Sequence, residues 1–146
     1  MNLSIFAERL SELIFDNKIS SSYLAQEIKC DRSTITRYLS GNKMPTIDLC
    51  CKIADYFKCS LDFLFGLEEN NYPQSYSNYI PFSERLPFLL SFFDISRYRL
   101  EKITGISEST LFYWSKGQTK PTIENIIKIA KSLNTSIDFI LGRITV

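Results

Sequence analysis

The sequence predicts an all-α fold built as two tandem five-helix domains. The chain aligns with itself without a gap, residues 6–66 on residues 82–142, and about a third of the aligned positions are identical. Within each copy, apolar residues recur at spacings of three and four, the period of a helix with one buried face. Serine, threonine and glycine stand where those runs begin and end. Two copies are too few for a solenoid. A unit of about 65 residues is large enough to fold alone.

The identities are clustered. Phe6, Glu8, Arg9 and Leu10 match Phe82, Glu84, Arg85 and Leu86. Ser33 and Thr34 match Ser109 and Thr110, and Gly41, Pro45, Thr46 and Ile47 match Gly117, Pro121, Thr122 and Ile123. Lys52, Ile53 and Ala54 match Lys128, Ile129 and Ala130, while Asp62, Phe63 and Gly66 match Asp138, Phe139 and Gly142. The predicted organisation is one domain over 1–67, a linker over 68–80 and a second domain over 81–146. The linker is polar, lacks helical period and contains Pro73. Its tyrosines Tyr72, Tyr76 and Tyr79 are unusual for free chain and are expected to pin it to a domain surface.

The elements follow in order. Leu3, Phe6, Leu10, Leu13 and Ile14 form one face of a helix over about 3–15. Ser20 to Ser22 can cap a second helix with Leu24, Ala25 and Ile28 inward. Lys29-Cys30-Asp31 is a tight turn, and Asp31 is expected to cap a third helix over about 32–40, with Ile35 inward and Gly41 as its stop. Pro45 or Thr46 begins a fourth helix carrying Ile47, Cys50, Cys51, Ala54 and Phe57. Ser60 caps a short fifth helix with Leu61, Leu64 and Phe65, and Gly66 ends it. The second copy places helices over about 82–93, 97–104, 108–116, 122–133 and 137–141. Ile126 and Ile127 stand at the places of Cys50 and Cys51, which marks those cysteines as packing residues.

Composition narrows the chemistry. Apolar residues make up 45% and charged residues 23%, with a net charge of +1, so any polyanion-binding face must come from local clustering. There is no histidine, which removes histidine acid–base chemistry, Ser/His triads and histidine metal sites. Cys30, Cys50, Cys51 and Cys59 contain no C-x-x-C pair and read as reduced core thiols. No apolar run reaches the roughly 18 residues of a membrane span. The opening MNLSIFAERLSEL is amphipathic and acidic, unlike a signal peptide. The expectation is a cytoplasmic protein with no enzymatic activity, no catalytic residues, no cofactor and no metal.

Two short helices joined by a three-residue turn make a helix-turn-helix. The segments LAQEIKCDRSTITRYLSGNKMPT and IDLCCKIADYFKCSLDFLFG, and in the second copy LEKITGISESTLFYWSKGQTKPT and IENIIKIAKSLNTSIDFILG, resemble the phage repressor/Cro (XRE) family. The resemblance covers nearly the whole chain outside the linker. It implies two five-helix lambda repressor-like domains, each able to set its third helix into the major groove of double-stranded DNA, commonly as two-fold pairs. It also exposes departures. Lys29 stands where a glycine is usual, kept as Gly105 in the second copy; if that site needs positive φ, Lys29 costs up to about 1 kcal/mol. Leu39 and Ser115 stand where glutamate is frequent, and Glu101 where a small residue such as Ala25 is usual.

The resemblance places base contacts on the third helix. In copy one, with Ile35 buried, Arg32, Ser33, Thr36 and Arg37 project outward, and arginine can donate two hydrogen bonds to guanine O6 and N7. Arg32 lies in the first helical turn, where the macrodipole disfavours a cation by about 0.3–1 kcal/mol. A local rule broken without local benefit points to function. Ser21, Ser22 and Lys43 are phosphate candidates. In copy two the matching outward positions hold Glu108, Ser109, Phe112 and Tyr113, of which Ser109, Phe112 and Tyr113 are base-contact candidates. Tyr38 and Trp114 read as packing residues. Arg97, Arg99, Lys102, Lys116 and Lys120 cluster around the second helix pair, with Arg97, Arg99, Lys116 and Lys120 as phosphate candidates. Residues 73–146 carry nine basic and six acidic groups and residues 1–72 eight and ten, so copy two has the stronger general attraction for DNA. The function expected is a sequence-specific transcriptional regulator, a repressor, working as a homodimer or by pairing its own two domains. The alternative is an interaction protein of antitoxin type, which Phe112 and Tyr113 favour for copy two.

Overall fold

The computed structural model describes residues 2–72 and 74–144. Regular structure among them is helical, and the chain divides into two compact units, Met1–Tyr76 and Ser77–Val146. The first holds α1 (Asn2–Asp16), α2 (Ser21–Ile28), α3 (Arg32–Leu39), α4 (Ile47–Phe57) and α5 (Leu61–Leu64). The second holds α6 (Phe82–Phe92), α7 (Arg97–Thr104), α8 (Glu108–Ser115), α9 (Ile123–Ser132) and α10 (Ile137–Ile140).

Side-chain caps start most of these helices, because the first turn of a helix has N–H groups with no intrahelical acceptor. The hydroxyls of Ser20, Thr46 and Ser60 accept from the N–H groups of Tyr23, Leu49 and Phe63. Ser96, Ser107, Thr122 and Ser136 do the same for α7 to α10. Asp31 departs from expectation. It occupies the N-cap position of α3 with extended backbone, yet its side chain makes no cap hydrogen bond. Its charge acts instead on the neighbouring Cys30 thiol, whose pKa is raised by burial and then by Asp31. Cys30 is only half-buried, whereas Cys50, Cys51 and Cys59 lie in the core.

The left-handed backbone positions repeat with the sequence. Lys18, Lys29, Gly41, Lys58 and Gly66 have positive φ, and so do Asp94, Gly105, Gly117, Asn134 and Gly142, each at the matching place in the second unit. Glycine is not used at all of them. Lys29 holds φ 59° where Gly105 holds φ 79°, so the strain expected at Lys29 is present.

Each unit closes around an aromatic pair joining its first and third helices. Phe6 meets Tyr38 edge-on at 5.6 Å between centroids, and Phe82 meets Trp114 at 5.7 Å. Tyr38 and Trp114 are both buried. Phe65 stacks on Phe6 at 5.2 Å in the first unit. Burial pushes the Tyr38 hydroxyl up to about 12. In the second unit Phe139 instead anchors a group of Phe88, Phe92 and Phe93.

The units enter their first helices differently. In α1 the helix runs through Ile5, whose side chain lies against Gly66; a Cβ at Gly66 would come within 2.6 Å of Ile5 Cγ2. In the second unit Pro81 stands at the N-cap of α6, and the preceding chain is extended. Ile80 then fills the same place, 2.7 Å from where a Cβ at Gly142 would sit. Its N–H donates to Leu141 O, and the N–H of Ser77 donates to Arg143 O, both at 2.8 Å. Pro87 lies inside α6, where it supplies no N–H to the carbonyl one turn back.

The segment 68–80, expected as linker, is tied at both ends. Glu68 accepts from Arg9 through its carbonyl and from Ser60 through its carboxylate, while Ser77 and Ile80 bond into the second unit. Tyr76 and Tyr79 are half-buried, but Tyr72 is 66% exposed, so it does not pin the chain as expected. Pro73 lies outside the described residues.

Candidate nucleic-acid interface

In the first unit α2 and α3 pack against each other, and α3 also rests on α1. The turn between α2 and α3 is closed by the N–H of Cys30 donating to Ala25 O at 2.9 Å and that of Lys29 to Gln26 O at 3.3 Å. These bonds require the left-handed Lys29 and set the start of α3 directly beyond it. Ile35 and Tyr38 bury one side of α3. Arg32, Ser33, Thr36 and Arg37 are exposed on the other, at the i, i+1, i+4 and i+5 places that form one stripe. Neither guanidinium is held in an ion pair among the described residues. Thr36 is exposed and donates its hydroxyl to Arg32 O at 3.1 Å. Ser22 is exposed and Ser21 half-buried in the first turn of α2, and Lys43 is exposed in the loop after α3. The candidates Arg32, Ser33, Thr36 and Arg37 thus share one exposed stripe of α3, with Ser21, Ser22 and Lys43 on α2 and in the loop after α3.

The second unit repeats the scaffold with different chemistry. Leu111 and Trp114 are buried on α8, while Glu108, Ser109, Phe112 and Tyr113 are exposed. Phe112 is 38% exposed and Tyr113 46%, and the rings meet edge-on at 5.7 Å. The turn before α8 uses Thr104, whose hydroxyl donates to Leu100 O at 2.7 Å and accepts from Ile106 N at 3.1 Å. Two of the phosphate candidates are engaged with the aromatic face. Arg97 lies 5.2 Å and Lys116 5.4 Å from the Phe112 centroid, and Lys102 lies 5.0 Å from that of Tyr98. Arg99 and Lys120 are exposed, and Ser109 shares a hydroxyl contact with Ser107 at 3.2 Å.

Three arginines belong to the fold rather than to this face. Arg9 donates to Phe63 O at 2.6 Å and to Glu68 O at 3.1 Å, with its guanidinium 4.1 Å over the Phe63 ring. Arg85, at the matching position, donates to Phe139 O at 2.5 Å and Ile140 O at 3.1 Å. It lies between the rings of Phe88 and Phe139, and burial lowers its pKa. Each thus adds a charged donor to a carbonyl of its unit's last helix, Phe63 O and Phe139 O, which also accept from the N–H groups of Gly66 and Gly142. Arg143 is buried with Asp138 at 2.5 Å, a pair that copy one, with Leu67 at that place, does not have. Arginine identity at 9 and 85 was visible in the repeat, and an arginine retained beside the apolar face of a first helix was the signal of its capping role. With Arg85, Arg143 and Asp138 inside, the outer surface of copy two carries seven basic and five acidic groups, a smaller excess than the full count implies.

A helix-turn-helix family model matches the sequence twice, at residues 16–64 and 93–140, which together span more than half of the chain. Each match contains the helix pair and the helices after it. No curated protein and no solved structure matches the chain.

Proposed function

The chain belongs to the Cro/C1-type helix-turn-helix family of DNA-binding regulators, and from that membership we propose a sequence-specific transcriptional repressor that reads the major groove with α3. The observation that carries this reading is the stripe Arg32, Ser33, Thr36 and Arg37, exposed opposite the buried Ile35 and Tyr38. Arg32 and Arg37 offer planar pairs of donors to guanine edges, Ser33 a hydroxyl, and Thr36 an acceptor and a methyl group. Ser21, Ser22 and Lys43 fix the register through phosphates and carry no sequence information themselves.

Copy two has a different part. Arg97, Arg99, Lys116 and Lys120 supply sequence-independent attraction, and Ser109, Phe112 and Tyr113 contribute apolar and hydroxyl contact. Two domains on one chain raise each other's effective concentration at a two-part site, provided the connection spans it. No step of chemistry is involved: occupancy of an operator is the output. A partner-binding role for copy two is favoured by one observation, the exposure of Phe112 and Tyr113 beside Glu108, which repels phosphates.

The test is a salt-titrated gel shift of the full chain on random duplex. Each neutralised phosphate adds about −0.9 to the slope of log affinity against log salt. A steep slope is expected. A flat one would assign both helix pairs to protein partners.

A further inference from the structure

We propose that the outward face of α7 and α8 takes single-stranded nucleic acid, stacking unpaired bases on its tyrosines. Three large aromatics stand at solvent there: Tyr98 is 59% exposed, Phe112 38% and Tyr113 46%. Cations alternate with them. Arg97 on α7 and Lys116 just after α8 lie over the Phe112 ring, which ties the two helices into one surface, and Lys102 lies over the ring of Tyr98. Residues 97–120 carry five cations, the exposed Arg99 and Lys120 among them, and two carboxylates, Glu101 and Glu108.

The first unit shows that the scaffold needs none of this. At the places of Arg97, Tyr98, Lys102, Phe112 and Lys116 it has Ser21, Ser22, Gln26, Thr36 and Ser40. The same helix pair thus forms with small or neutral polar side chains at all five places. Large aromatics kept at solvent without a folding need mark a binding surface.

Charge and ring placement together identify the occupant. The excess of cations calls for an anion. The core of a protein interface is depleted of charge, lysine included, whereas here an arginine and a lysine sit on the Phe112 ring. A base-paired strand keeps its base faces inside the stack and offers an aromatic side chain little beyond a thymine methyl group. An unpaired strand offers phosphates to the cations and a planar face at every base to the rings, the combination that sequence-tolerant single-strand binders use. Tyr113 is the first stacking ring: it meets Phe112 edge-on and has no cation over it among the described residues, so its exposed face is open to a base. Tyr98, the most exposed of the three, is the second. The inference rests on the nucleic-acid reading of copy two and is independent of base reading by α3.

The experiment is fluorescence anisotropy of the full chain with three labelled probes of about 15 nucleotides, a length that one small binding domain can cover. They are oligo-dT, a strand of abasic sites with the same phosphates, and a random-sequence duplex. Wild type is expected to bind oligo-dT roughly tenfold or more tightly than the abasic strand, the effect of one stacked base or more. Tyr98→Ala with Tyr113→Ala should weaken oligo-dT by a similar factor and bring it down to the level of the abasic strand. Tyr98→Phe with Tyr113→Phe, which keeps both rings and loses only the hydroxyls, should bind oligo-dT like wild type. Circular dichroism checks that each variant keeps the helical signal, and if the double alanine variant does not fold, Tyr98→Ala alone is read in its place. Equal affinity of wild type for oligo-dT and the abasic strand overturns the inference, as does a folded alanine variant that binds oligo-dT as well as wild type. Duplex binding without any gain on oligo-dT sinks this inference alone, whereas no binding to any probe sinks the nucleic-acid reading of the chain with it.

Discussion

Copy one presents Arg32, Ser33, Thr36 and Arg37 on the outer face of α3, while copy two presents Glu108, Ser109, Phe112 and Tyr113 on the matching face of α8. Behind these faces the two copies agree. Ile35 and Leu111 are buried alike, Tyr38 and Trp114 meet the same phenylalanine of their first helix, and Arg9 and Arg85 reach the carbonyls of the same last helix. Residues that fix backbone direction or close a core have few substitutes, so duplication leaves them in place. Residues at solvent cost the fold little when they change. The comparison therefore separates what the domain needs from what each copy does.

The sharpest way to break that comparison is at the two arginines. Arg85 is buried and Arg9 half-exposed, so their loss should differ in cost. Arg85→Ala should destabilise the second unit by about 3 kcal/mol, because two buried carbonyls lose a charged donor. Arg9→Ala should cost about 1 kcal/mol. Trp114 is the one tryptophan, so its fluorescence reports the second unit alone. Arg85→Ala should lower the Trp114-reported melting temperature, whereas Arg9→Ala should lower the helical transition seen by circular dichroism and leave that of Trp114 in place. A shift of the Trp114 transition in Arg9→Ala would mean that the units do not unfold independently.

Next in size are the residues proposed to read bases. Arg32→Ala and Arg37→Ala should each weaken binding to a preferred duplex by about 1–3 kcal/mol, with thermal stability nearly unchanged. In copy two Phe112→Ala, at the place of Thr36, should cost no more than about 1 kcal/mol at one base step, because only an apolar contact is lost. A larger loss at Phe112 than at Arg32, measured by fluorescence anisotropy, would reverse the assignment of the two faces. Removing Arg97, Arg99 and Lys116 together should lower affinity for all duplexes alike and reduce the salt slope by up to about three phosphate equivalents.

The smallest effect concerns the turn. Lys29→Gly should stabilise the first unit by up to about 1 kcal/mol by relieving the left-handed lysine. Gly105→Lys should cost the second unit a similar amount, because a Cβ there meets nothing within 4 Å and only backbone strain is added. Equal melting temperatures for Lys29→Gly and wild type would show that the strain is absorbed elsewhere.

Much of this architecture was legible in the sequence because its signals are local. Ser20, Thr46, Ser60 and their counterparts cap where the period of apolar residues begins, and the offset between the copies returns the same left-handed positions. Asp31 takes the N-cap position read for it, but the absence of a bond from its side chain was not legible, because residue type fixes the position and not the rotamer. The exchange of Ile5 for Ile80 was not legible, since it breaks the repeat offset by one residue and depends on extended chain before Pro81. Arg143 counted as a surface charge in the sequence but forms a buried pair with Asp138, which only the three-dimensional arrangement reveals. The α3 stripe was readable from one buried isoleucine and the helical period alone, whereas the ring-bound positions of Arg97 and Lys116 were not.

The central claim is that α3 carries the sequence preference of the whole chain. Selection of bound sites from a random duplex pool tests it most directly, run in parallel with wild type and with Arg32→Ala plus Arg37→Ala. Wild type should enrich a defined motif. The double variant should still retain duplex through copy two, with a salt-dependent affinity, but should lose the wild-type motif and keep at most the one base step assigned to Phe112. A motif that survives unchanged in the double variant would contradict the claim and move base reading to another helix.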